Sequence, residues 1–350
     1  MPIFLTVIII SYHKRKNYLR FALQSVIEQQ YPREMFEIIV VKDYDDETIS
    51  RYINEELKNF NIREFKTEKT NTGYKYAAGL IAAKSEIVCF LEDDDMFRHD
   101  KLVNVSQEFE KNPGLGIVKN DDIMIGPDGA LLTSEFNRGI PYNITFSGID
   151  FLKTVRPQLA TKLFGGMSNL SINRTLIMQY LEILSMDNAS DDFLLFLIYL
   201  LNGSSVKLLA KKITYYRISN SATRIYDNFR NYNERMITRY IGQTKVMDFL
   251  IDFLGNKSLG SFLDKIFFKK YMNNYLFDVG TRLSLKYLLI YHTKRKSFPF
   301  LLGLLYLLLS LTHDIAKQSF NYFTYVFTKL RLSHELGYMI ETTLSSKIKS

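Results

Sequence analysis

The sequence predicts an α/β fold: a doubly wound sheet whose parallel strands are covered by helices on both faces. Three observations carry this. Apolar runs of about six residues recur through the first 120 positions, continuous rather than alternating, as strands buried on both faces are. Between them lie segments with apolar residues at helical spacing. Directly after each apolar run stands a polar or acidic group, and in open α/β sheets that is where ligands bind.

Residues 5–10 form the first run, Leu-Thr-Val-Ile-Ile-Ile, rich in β-branched residues. No basic residue precedes it and no small-residue cleavage site follows, so it reads as a buried strand rather than a signal peptide. Leu19, Ala22, Leu23, Val26 and Ile27 then recur with helical period. Residues 36–41 are a second apolar run, followed by Ile49, Ile53 and Leu57 at helical spacing. Residues 62–65 form a short strand, residues 74–84 an Ala-rich helix, and residues 86–91 a further buried strand holding Cys89. That cysteine, the only one, reads as a small buried hydrophobe. It leaves no partner for a disulfide within the chain, which fits a reducing compartment.

Past residue 112 the rhythm changes. Gly126-Pro127-Asp128-Gly129 is a strong turn signal. Phe164-Gly165-Gly166-Met167 reads as a loop before a strand at 168–172, residues 191–201 as a helix, and 206–209 as a strand. From Tyr226 onward the pattern is helical and aromatic. The expected organisation is a catalytic domain over 1–225 and a helical, basic, aromatic region over 226–350. No internal repeat is visible.

Composition narrows the class. At 47% hydrophobic and 23% charged residues the chain is globular rather than disordered. Its net charge of +8 is uneven: residues 257–296 hold nine Lys or Arg against two Asp, a net of +7. A basic segment of this kind suggests an anionic partner, lipid or nucleic acid. No nucleic-acid motif accompanies it, so an anionic membrane surface met through 257–313 is the expected partner. Residues 297–313 carry no formal charge. Their 14-residue apolar core spans about 21 Å as a helix, short of the roughly 30 Å hydrocarbon layer. An interfacial or re-entrant element, a buried core helix and a true span all remain open. Cytoplasmic placement, peripheral at the inner face of the cell membrane, is the expected location.

The residues after the first three buried runs converge on one rim. They are Ser11-Tyr12-His13-Lys14-Arg15, then Lys42-Asp43-Tyr44-Asp45-Asp46, then Glu92-Asp93-Asp94-Asp95. Four consecutive acids repel one another, and a cation removes the cost. Carboxylate oxygens suit Mg²⁺ or Mn²⁺ rather than Zn²⁺. The five histidines are scattered with no zinc motif. A solvated acidic loop is the plainer alternative.

Four stretches together resemble the family 2 inverting glycosyltransferases. Residues 6–12 with Leu19 and residues 22–29 are similar to the family's first strand and helix. Residues 37–43 are similar to its second strand with the nucleoside-binding carboxylate. Phe90-Leu91-Glu92-Asp93-Asp94-Asp95 is similar to the strand that ends in the metal-binding DxD motif. Asp191-Asp192-Phe193-Leu194-Leu195 is similar to the Glu-Asp motif whose second acid is the catalytic base. A weaker fifth match is Tyr215-Tyr216-Arg217 with Ser221.

The resemblance implies a GT-A type doubly wound mixed sheet with a Rossmann-like nucleotide-binding half, followed by a mainly helical C-terminal region. It implies metal-dependent inverting transfer of a sugar from a nucleotide diphosphate donor, a UDP-sugar favoured, to a hydroxyl of a glycan or lipid-linked acceptor. Glu92, Asp94 and Asp95 would hold Mn²⁺ or Mg²⁺. Ser11, Tyr12, Asp43, Lys75 and Asp93 would meet the nucleotide. Asp192 would be the base, with Asp191 beside it; an ordinary acidic helix start is the alternative there. Apart from the resemblance, the small Gly165-Gly166 pair could let backbone amides approach the acceptor, with a plain turn as the alternative.

The chain departs from the family at several points. Ile10 and His13 stand where proline and asparagine are usual, Lys42 replaces the first of paired acids, and Ala77-Ala78-Gly79 lacks an arginine that faces the diphosphate. Lys75, one turn earlier, is the candidate substitute. The competing functions are a non-catalytic nucleotide-sugar-binding or scaffold module and a sugar-nucleotide nucleotidyltransferase. The latter's glycine-rich loop with a following arginine is missing near the amino terminus.

Overall fold

The computed structural model describes residues 3–132, 140, 142–147, 166–186 and 191–218, without the side chains of 191–193 and 201. The chain divides into two units, Met1–Thr223 and Arg224–Ser350, the second lying outside the described residues. So do Ser221, Gly165, the basic segment 257–296 and the uncharged run 297–313.

Among the described residues nine strands form one sheet: β1 Leu5–Ser11, β2 Phe36–Lys42, β3 Ile62–Lys66, β4 Ile87–Glu92, β5 Met96–Phe97, β6 Leu115–Ile125, β7 Ile144–Ser147, β8 Leu170–Asn173 and β9 Ser205–Arg217. The helices among the described residues are α1 Lys16–Ile27, α2 Glu47–Arg51, α3 Thr72–Ala82, α4 Lys101–Lys111, α5 Leu181–Met186 and α6 Asp191–Leu201. The strand order is β3-β2-β1-β4-β8-β6-β9-β5, with β7 also on β9. Strands β3, β2, β1 and β4 are mutually parallel, as expected for a nucleotide-binding half. The other half is mixed: β8 runs antiparallel to both neighbours, and β9 is parallel to β6 but antiparallel to β5 and β7.

Strand β1 is buried along its whole length because it is central. Val7 and Ile9 join Leu19, Leu23 and Val26 of α1, Ile38 and Val40 of β2, and Cys89 and Leu91 of β4 in one core. Ile8 faces the other way. A Cβ at Gly79 of α3 would sit 2.6 Å from its Cγ2, so glycine lets this helix lie close on the sheet. Asn71 caps α3 by accepting from Tyr74 N, and its amide nitrogen donates to Ser185 O of α5. Asp46 caps α2, accepting from Thr48 N and Ile49 N.

Strand β6 was not legible as a strand, because Lys119-Asn120-Asp121 interrupt its apolar residues. These polar residues are nevertheless buried. Asn120 accepts from Lys101 and donates to Thr214 Oγ1 at 2.9 Å, and Asp121 accepts from Ile140 N at 3.0 Å. Strand β9 runs well past the expected 206–209. Its register against β6 jumps from Asn120↔Leu209 to Asp121↔Lys212, a bulge that breaks the sequence pattern. After its two leading aspartates helix α6 is apolar all round, and residues 194–200 are buried accordingly. Gly116 of β6 admits it: a Cβ there would lie 2.6 Å from Tyr199 Cδ1.

Candidate nucleotide and metal site

The parallel register levels the strand ends. Ser11 pairs with Lys42 and Ile10 with Glu92, so the residues after β1, β2 and β4 share the carboxyl rim. After β4 the chain turns sharply, Asp95 N donating to Glu92 O at 3.1 Å.

Carboxylate oxygens of Glu92, Asp94 and Asp95 all lie within 4.8 Å of one another. Asp94 and Asp95 are buried and Glu92 is partly so. Burial pushes Asp95 well above the usual carboxylate range, and the charges of Asp94 and Glu92 add to the rise. Convergent hard oxygen donors with this mutual repulsion fit a divalent cation.

Asp93 points elsewhere. Fully buried, it accepts from Ser11 Oγ at 2.9 Å and Tyr12 N at 2.7 Å and ion-pairs with Arg15 at 3.0 Å. Burial, opposed by Arg15, pushes its carboxyl up to about 6. It fastens the loop after β1 to the loop after β4. The Ser11 hydroxyl also meets Tyr44 OH at 2.6 Å, and burial raises that phenol to about 12.

Lys75 reaches the rim from α3. Its ammonium is 3.1 Å from Asp43 Oδ2 and donates to Ser11 O at 2.7 Å, and its side chain is only 2% exposed. Burial lowers its pKa, with Asp43 opposing. The other Asp43 oxygen, Oδ1, is buried with no hydrogen-bond partner among the described residues. Ser11, Tyr12, Asp43, Lys75 and Asp93 are therefore one connected cluster beside the three convergent acids.

Asp191 and Asp192 begin α6, and their side chains lie outside the described residues. Gly166 has φ 77°, a left-handed conformation that suits glycine.

Three contributors escaped the sequence reading as site residues. Ser168 Oγ donates to Asp95 Oδ2 at 2.6 Å and accepts from Glu92 N at 3.0 Å. Arg217, at the end of β9, donates its backbone N–H to Asp95 Oδ1 at 2.9 Å and Nε to Asp94 O at 2.8 Å. Its Nη1 donates to Gly126 O and Pro127 O, which ties the acidic loop to the turn after β6. Arg15 bridges Asp93 and Asp94. Arg217 carried a signal in the Tyr215-Tyr216-Arg217 match, and Arg15 in its place directly after the first strand. Ser168 carried none, standing 73 residues from Asp95.

Residues 6–157 match the family model described as Glycosyl transferase family 2. An uncharacterized glycosyltransferase of Nostoc is 28% identical over 123 residues, 35% of this chain and 38% of that protein. The chain spans less than two thirds of the length of the curated relatives it matches. Among solved structures, Staphylococcus aureus TarS 1–349 in complex with UDP-GlcNAc aligns with TM-score 0.52 and 16% identity, over 78% of this chain and 73% of that one. The mannosyltransferase PcManGT of Pyrobaculum calidifontis, in complex with GDP-Man and Mn²⁺, aligns with TM-score 0.51 and 15% identity, over 94% and 89%.

Proposed function

Because residues 6–157 match the Glycosyl transferase family 2 model and the sheet has the GT-A fold, we propose that this chain transfers a sugar from a nucleotide diphosphate donor to a hydroxyl acceptor, with inversion. The observation that carries the proposal is the convergence of Glu92, Asp94 and Asp95 beside the Ser11–Asp43–Lys75–Asp93 cluster on one strand rim.

Each residue has a part. Glu92, Asp94 and Asp95 hold a divalent cation, Mn²⁺ or Mg²⁺, which when bound neutralises charge on a departing diphosphate. Asp43 receives a donor group of the nucleoside: its buried Oδ1 is an acceptor without a partner among the described residues, and a base or ribose N–H or O–H would satisfy it. Lys75 fixes Asp43 and the Ser11 carbonyl. Ser11 and Tyr12 form the wall that Asp93 anchors. Asp192 takes the acceptor's proton, with Asp191 beside it; inversion needs that one base and no covalent intermediate.

A UDP-sugar is the favoured donor and a glycan or lipid-linked molecule the acceptor class. The catalytic domain covers 1–225, and region 226–350 brings it to an anionic membrane from the cytoplasmic side. Among the described residues no helix is long and apolar enough to cross a membrane; the membrane reading rests on the basic segment 257–296 and the uncharged residues 297–313.

The test is a panel of UDP-, GDP- and dTDP-sugars assayed with Mn²⁺ for release of the nucleoside diphosphate in the presence of glycan and polyprenyl acceptors. The proposal expects release with at least one donor and loss of release on chelation. Binding of donor without release with every acceptor would instead support a scaffold module.

A further inference from the structure

Arg15 closes the short turn His13–Arg15 after β1 and lays its guanidinium across two carboxylates of different standing. Nη2 is 3.0 Å from Asp93 Oδ1, and Nη1 donates to Asp94 Oδ2 at 2.7 Å. Asp93 stands outside the convergent group and is fixed by Ser11 and Tyr12. Asp94 belongs to that group. The arginine thus straddles one anchored acid and one acid whose charge a divalent cation would also claim.

A cation on Asp94 and a guanidinium on the same carboxylate are like charges at contact distance, in a place with little water to screen them. The Arg15 side chain is 12% exposed and that of Asp94 5%. The anchored half of the pair has no such competitor. A further donor of the fork, Arg15 Nε, is buried and has no hydrogen-bond partner among the described residues. A buried N–H in that condition is an open site for an acceptor oxygen.

We propose that Arg15 is the resident counter-ion of the acidic loop, and that it and a divalent cation bind Asp94 in exclusion of one another. When the cation takes Asp94, Asp93 keeps the guanidinium at the rim. The freed Nη1, with Nε, then donates to a phosphate oxygen of the nucleotide. Arg15, rather than Lys75 on α3, supplies the cationic side chain that meets the diphosphate. The exchange on Asp94 stands without any ligand; only the phosphate step rests on the proposed function.

The experiment titrates Mn²⁺ into metal-stripped full-length protein without nucleotide, reading free Mn²⁺ by electron paramagnetic resonance. Wild type is compared with Arg15→Gln and Arg15→Lys. Calorimetry with UDP at saturating Mn²⁺ follows. Removing the competitor should tighten Mn²⁺ binding by on the order of tenfold in Arg15→Gln, about 1.4 kcal/mol. Arg15→Lys keeps the charge but loses the fork, and should fall between the two. UDP binding at saturating Mn²⁺ should weaken in both variants. A merely structural arginine would instead weaken metal and UDP together. Mn²⁺ affinity unchanged or reduced in the folded variants overturns the proposal, and so does failure of all three proteins to bind Mn²⁺. If Arg15→Gln does not fold, Arg15→Lys decides by the same criterion. Tighter Mn²⁺ binding with no UDP binding even by wild type would uphold the exchange on Asp94 and count against the nucleotide reading alone.

Discussion

If Asp192 takes the acceptor's proton, then Asp192→Asn, which keeps the volume and removes the charge, should leave donor affinity near wild type. Transfer should fall by on the order of 10² to 10⁴, the usual worth of a general base. Steady-state rates beside donor titrations separate the two effects. Asp191→Asn is the control and should matter less; if its loss is the larger one, the base is Asp191. Lys101 offers a test of a different kind. Its ammonium is fully buried against Asn120 and the Ser168 carbonyl, and burial pulls it down to about 8. The unfolded chain holds that proton up to 10.5. Between the two values the unfolded state binds more protons, so this lysine makes folding more favourable as pH rises from about 8 toward 10.5. Urea midpoints measured across that window should climb in wild type relative to Lys101→Met. Parallel pH profiles for the two proteins would show that the folded state keeps the proton. At this scale the sequence told the acids from the rest, because four in a row after a buried run have few stable explanations. The resemblance set Asp93 apart from Glu92, Asp94 and Asp95, but the sequence could not tell what holds Asp93 there. It is held by Ser11 and Tyr12, some eighty residues distant.

Strands β1, β2 and β4 were readable because each is a short apolar run buried on both faces. Strand β6 was hidden by the buried polar residues it carries for Lys101 and Thr214, and β9 by its bulge. Both matter to the site. The end of β9 brings Arg217 under the acidic loop, and the turn before β8 brings Ser168 against Asp95. Ser168→Ala should leave Glu92 N and an Asp95 oxygen each short of a partner. It should cost about 1–3 kcal/mol of stability, the usual penalty of an unmade buried hydrogen bond, and weaken Mn²⁺ binding as Asp95 loses its orientation. Denaturant unfolding and Mn²⁺ titration read the two effects. A variant of wild-type stability and metal affinity would show that Arg217 alone holds the loop.

The sheet joins a parallel half, which carries the proposed nucleotide site, to a mixed half whose Ser168 and Arg217 hold the acidic loop. The antiparallel insertion of β8 between β4 and β6 was not legible in the first 120 residues, because its four residues come from beyond position 169. Region 226–350 enters the account through its basic segment 257–296 and its uncharged run 297–313. Full-length protein should sediment with vesicles containing anionic lipid, less so as salt is raised, since each basic residue near such a surface contributes roughly 1 kcal/mol. Equal binding to zwitterionic vesicles would leave only the uncharged run 297–313 as an anchor. The central claim, that this rim holds a nucleoside diphosphate through a cation on Glu92, Asp94 and Asp95, is tested most directly by the thermal midpoint of the full-length protein with UDP, GDP and dTDP, each with and without Mn²⁺, in wild type and Asp94→Asn. A nucleotide at 100 times its dissociation constant adds about 2.7 kcal/mol to folding. Wild type should gain a clear shift with at least one nucleotide only when Mn²⁺ is present, and Asp94→Asn should lose most of it. No shift with any nucleotide and metal, or an equal shift in Asp94→Asn, would contradict the assignment.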